Sequence, residues 1–148
     1  MRFMHLIENE ILVNCPVQKT FGFFTDLKKI IQSFPNAKQM ENVSGGFVGT
    51  GTNLLFTLKI DGKLVSSIIT IKEFEPEKRI LVENDRISIL ETYSYGFEAL
   101  GRKTKISFKG DIVFHAFDEF VQCQIFEDIK KLDLEHLELI KKILEKPV

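Results

Sequence analysis

Val13-Asn14-Cys15-Pro16-Val17-Gln18-Lys19-Thr20-Phe21-Gly22-Phe23-Phe24-Thr25-Asp26 places three phenylalanines within four positions, just after a proline. The run before it, residues 3–14 (FMHLIENEILVN), is rich in apolar and β-branched residues and reads as a strand. Pro16 ends that strand, because proline donates nothing to a ladder yet tolerates a first helical turn. Residues 17–32 then read as one or two short helices, with Asp26 able to cap the second and Pro35 closing the segment. In a helix Phe21 and Phe24 share a face with Val17 and point inward, while Phe23 points elsewhere. The stretch is thus the hinge between a first strand and the helices that follow it.

Downstream the pattern changes to strand after strand. Residues 38–43 form a weak first one, and the turn-rich SGGFVGTG leads into TNLLFTLKI (52–60). Asp61-Gly62 is a strong two-residue hairpin signal that returns the chain into 63–75. Further strands are expected at 79–84, 88–100 and 103–114, joined by turns short enough for an antiparallel meander. Residues 118–146 then switch to a helical period. Ile125, Phe126, Leu132, Ile140 and Ile143 all fall within about 60° of Ile129 at 100° per residue. Such a stripe has to be buried, and the sheet is the surface on offer.

The bulk numbers narrow the function. At 148 residues the chain fits one domain, 1–148, able to build its own core. Its 20 basic and 21 acidic residues nearly cancel, so no basic stripe argues for nucleic acid. No apolar run approaches the roughly 18 residues of a membrane span. The aromatic content is skewed, with 14 Phe, 2 Tyr and no Trp. Phenylalanine brings apolar area without a polar atom, suited to a core or a greasy cavity. Cys15 and Cys123 form no paired motif and read as reduced, buried hydrophobes. With no apolar leader at the N-terminus, a cytoplasmic location is expected.

The order of landmarks resembles the helix-grip fold of the START-like (SRPBCC) superfamily. The residues that carry the resemblance are ILVNCPVQKTFGFFTDLKKI, the proline of FPNA, the turn GGFVGTGT, the Asp61-Gly62 hairpin and GRKTKISFKGDI before the last helix. It implies an α+β fold, with a curved antiparallel sheet of about seven strands wrapped around the long C-terminal helix and two short helices after strand 1. It also implies a cavity between sheet and helix for a small hydrophobic ligand, such as a lipid, quinone or polyketide-like molecule. Two alternatives stay open: a polyketide cyclase, aromatase or dehydratase-like enzyme, and a protein-interaction module of the Hsp90-activator-like type. Short loops suggest a modest cavity near the lower end of the ~300–1,000 Å³ range, which phenylalanines could even close.

Polar residues on apolar faces are the candidate ligand contacts. His136 and Gln122 each lie about 20° from Ile129 on the helix, and Asp133 about 40°. A stripe serving packing alone gains nothing from burying them. Tyr93 and Tyr95 share a strand face with Phe97, and Asn9 shares one with Ile7 and Ile11. Together with Phe21, Phe24, Phe56, Phe108, Phe126, Ile129 and Ile140, these are the expected pocket residues. His5, His115 and His136 lack ligand spacing, so no metal and no cofactor are expected. The G-x-x-G-x-G in SGGFVGTGT opens onto a strand, so it reads as a turn and not a phosphate cradle.

Overall fold

The computed structural model describes residues 4–147. Strand β1 (Met4–Val13) ends at the turn before Pro16, whose extended backbone (φ −63°, ψ 153°) precedes helix α1 (Val17–Thr25). Asp26 stops α1 and starts α2 (Leu27–Ile30), its side chain accepting from the Lys28 amide at 3.1 Å. A single 3₁₀ turn, Ile31–Ser33, completes the helical segment. The phenylalanine cluster is core. Phe21 stacks on Phe97 with centroids 5.2 Å apart, and Phe24 meets Phe97 and Tyr95 edge-on, both at 5.0 Å. Phe23, expected to point away, is also buried and packs edge-on against Phe24. With Val17, Thr20, Phe21, Phe23 and Phe24 all buried, the covered face of α1 spans about 160° at 100° per residue, with Phe23 at its edge.

The strands are β2 (Ala37–Asn42), β3 (Asn53–Ile60), β4 (Lys63–Glu75), β5 (Arg79–Asp85), β6 (Ile89–Leu100) and β7 (Lys103–Phe114). With β1 they form one antiparallel sheet in the order β1-β7-β6-β5-β4-β3-β2. Asp61 and Gly62 both have positive φ (49° and 78°), the conformation a two-residue hairpin needs to match the twist of its strands. Register shifts at Ala37/Gln39 and Ile71/Glu73 mark bulges, which bend a sheet locally.

Helix α3 (Glu119–Leu144) lies across the concave face. Asp118 caps it by accepting from the Val121 amide at 2.9 Å. Its far end is tied to β1, because Glu145 Oε2 accepts from the Asn14 amide at 2.8 Å and Lys141 Nζ donates to the Leu12 carbonyl. Leu137 and Ile140 are fully buried there, over the packed end of the core. Leu132 is 39% exposed although it lies on the apolar stripe, because the sheet stands away from the helix at that level. Cys123 is exposed, contrary to the expectation of burial: it follows the buried Gln122 by one residue and is rotated about 100° from it. Cys15 is buried, and both thiols are free. Among the described residues no helix is long and apolar enough to cross a membrane.

Candidate functional site

The aromatic filling stops short of one end of the grip. Between α3 and the inner faces of β3 to β6 lies a cavity of about 590 Å³, in the middle of the range for ligand sites and larger than the loops suggest. Strand periodicity builds its wall: Val82 and Asn84 come from β5, Arg86 from the turn that follows it, and Ile89, Glu91, Tyr93 and Tyr95 from β6. Ile125, Ile129, Leu132, Asp133 and His136 descend from α3, and Phe34 closes one side. Most of the lining is apolar; one set of polar groups lies on β5, β6, the turn between them and the facing side of α3, and Asn36, Lys59, Asp61 and Ser67 lie on the β3–β4 side.

Two hydrogen-bonded groups organise those polar side chains. In the first, His136 Nδ1 lies 2.9 Å from the Ser33 carbonyl and 3.0 Å from Ser33 Oγ, while Nε2 lies 2.8 Å from the Tyr95 hydroxyl. A carbonyl only accepts, so Nδ1 carries the proton, Nε2 accepts, and Tyr95 donates. Burial, partly offset by the Ser33 carbonyl, lowers the imidazole to about 4 and keeps the ring neutral. Phe34 stacks on the same ring at 4.0 Å. His136 therefore has no nitrogen left for a ligand. Burial, reinforced by the charge of Asp133, raises the Tyr95 phenol.

In the second group Glu91, though buried, is fully partnered. Arg86 Nη2 lies 2.7 Å from Oε2, and the Tyr93 hydroxyl donates to Oε1 at 2.7 Å. Opposite stands Asp133, whose carboxyl is pushed up to about 8 by burial and then by the Glu91 charge; Tyr93 and Arg86 pull it back only in part. The Tyr93 phenol is raised by burial, then by Glu91 and Asp133. Two acceptors among the lining residues have no hydrogen-bond partner, Asn84 Oδ1 and Asp133 Oδ2.

Of the residues expected at the pocket, the structure places Phe56, Tyr93, Tyr95, Ile129, Asp133 and His136 on the cavity wall. Phe21, Phe24, Phe97, Phe108 and Ile140 lie in the packed core. Gln122 is buried nearer the start of α3, where its amide donates to the Phe117 carbonyl at 2.9 Å. Phe126 packs on His5 with centroids 4.6 Å apart. Asn9 does not reach the cavity: it is exposed on β1, and its Oδ1 accepts from the Glu10 amide at 2.8 Å. Sequence reasoning missed Asn84, Arg86 and Glu91. A signal was there, since Glu91 alternates in step with Ile89, Tyr93 and Tyr95.

No family model and no curated protein matches the chain in sequence. Solved structures do match in shape. Ara h 8.0201 superposes with a TM-score of 0.78 at 18% identity, covering 96% of this chain and 98% of that one. The di-domain ARO/CYC protein BexL from the BE-7585A biosynthetic pathway gives 0.76 at 14% identity, covering 93% of this chain and 45% of BexL. A START superfamily protein from Mycobacterium smegmatis gives 0.68 at 17% identity, covering 95% of this chain and 94% of the other. The chain has the START-like helix-grip fold.

Proposed function

We propose that this protein binds a small, largely apolar molecule with at least one polar group, held between the sheet and α3. The observation that carries the reading is the cavity of about 590 Å³, apolar over most of its wall and polar where β5, β6 and α3 meet. Volume and lining match the general form of a small-molecule site. The START-like fold adds support, because its curved sheet and long helix leave such a space between them. A binding role fits better than acid–base chemistry at His136, since both ring nitrogens already have partners.

The test uses the neutral fluorophore N-phenyl-1-naphthylamine on delipidated protein. Saturable 1:1 binding with a rise in melting temperature is expected. Val82→Phe, which adds bulk to the cavity wall, should abolish binding while circular dichroism stays unchanged. Absence of saturable binding, or undiminished binding by a folded Val82→Phe protein, would overturn the reading. Mass spectrometry of the natively purified protein should also reveal an apolar molecule.

A further inference from the structure

Resting on that reading, we infer that the ligand carries a protonated amine, seated between Asp133 on α3 and Asn84 on β5, beside Glu91. Asn84 and Glu91 are direct cross-strand partners, so their side chains stand together on the concave face. Asn84 is only 9% exposed, yet its Oδ1 has no hydrogen-bond partner, and Asp133 Oδ2 has none either. Asn84 Oδ1 is an acceptor, the Asp133 carboxyl offers acceptors on both oxygens once it is ionised, and both residues line the cavity. What satisfies two buried acceptors is a group with several N–H donors.

Charge selects the ammonium over a neutral donor. Glu91 is balanced by Arg86 at 2.7 Å, whereas among the described residues no cation forms an ion pair with Asp133. Around the cavity the acids are Asp61 in the β3–β4 turn, Glu91 on β6, and Asp128 and Asp133 on α3; the cations are Lys59 on β3 and Arg86 in the β5–β6 turn. Tyr93, Tyr95 and His136 face the same space and are neutral. Arg86 Nε is also without a partner, but its charge is already paired and the acids outnumber the cations, so a carboxylate ligand is disfavoured. An ammonium beside Asp133 would favour its ionised form. The carboxyl, held up to about 8 in the free protein, would then pass its proton to the buffer when the amine binds near neutral pH.

The experiment displaces N-phenyl-1-naphthylamine with three matched probes: 4-phenylbutylamine, 4-phenylbutanol and 4-phenylbutanoate. The amine should bind at least about tenfold tighter than the alcohol, with the carboxylate weakest. Asp133→Asn, nearly isosteric, should erase the amine's advantage over the alcohol. Calorimetry in two buffers of different ionisation enthalpy should show proton release with the amine and none with the alcohol. If the fluorophore binds but the amine shows no preference, if Asp133→Asn retains that preference, or if no proton is released, the inference falls and the binding reading stands. If the fluorophore does not bind, both fall.

Discussion

The Tyr95 hydroxyl donates to His136 Nε2 at 2.8 Å, joining the middle of the sheet to the middle of α3 in a buried position. Ser33 holds the other side of the same ring, so the 3₁₀ turn, the helix and the sheet meet at one imidazole. Tyr95→Phe keeps the aromatic packing on Phe24 and Phe108 but leaves Nε2 a buried acceptor without a donor. It should cost about 1–3 kcal/mol in urea unfolding. Ser33→Ala keeps the carbonyl that accepts from Nδ1 and loses a hydroxyl bond to Ile30, so about 0.5–1.5 kcal/mol is expected. A Tyr95→Phe protein as stable as the parent would show that this buried hydrogen bond does not hold the sheet to the helix.

Gly110 sets the position of the Tyr93 ring. It is the direct partner of Tyr93 on β6 and of Ile7 on β1, and an added Cβ would stand 3.0 Å from Tyr93 Cε1 and 3.2 Å from Cδ1. The ring would have to shift, taking its hydroxyl away from Glu91. Gly110→Ala should destabilise by about 1–3 kcal/mol through overpacking. In a Tyr93→Leu background the same change should cost measurably less, because the clash is gone. Equal costs in the two backgrounds would mean that Gly110 is needed for its backbone alone.

The fold was legible because each of its elements leaves a periodic trace. Alternation marks β3 to β7, Asp61-Gly62 fixes one hairpin, Pro16 breaks β1 from α1, and the stripe around Ile129 marks α3. The site was legible in part. Periodicity tells which face a residue occupies but not how far along the grip it lies. Tyr93 and Phe97 share a face of β6, yet one lines the cavity and the other packs under Phe21. Glu91 escaped notice because a glutamate on a strand ordinarily faces water. Its burial depends on Arg86, a pairing across the β5–β6 turn that no local pattern encodes. Phe23 misled for a related reason: it sits at the edge of the buried arc of α1, about 120° from Val17, where periodicity does not tell a buried side chain from an exposed one.

That turn carries strain. Ile87 is 89% exposed and adopts φ 63°, left-handed backbone that a β-branched side chain disfavours. The Asp85 carboxylate accepts from its amide at 3.1 Å and helps hold the turn that presents Arg86. Ile87→Asn and Ile87→Gly remove the steric penalty, at some entropic cost for glycine. Both should raise stability by about 0.5–1 kcal/mol, read from the urea midpoint. A loss of stability in both would show that the exposed isoleucine has a packing role.

Asp133 and His136 give stability opposite dependences on pH. His136 titrates at about 4 in the folded protein against an ordinary 6.5, so between these values the unfolded chain holds the extra proton and stability rises with pH. Asp133 keeps its proton up to about 8 when folded and loses it near 3.8 when unfolded, so its contribution falls as pH rises through that window. Below pH 6.5 the two trends offset one another. From pH 6.5 to about 8 only the Asp133 decline remains, and the protein should lose stability there. Asp133→Asn should be level across that upper interval and should rise with pH below it, where His136 acts alone. Urea midpoints at the ends of each interval measure both slopes. A decline above pH 6.5 that persists in Asp133→Asn would assign the titration to another group and leave Asp133 ionised in the free protein.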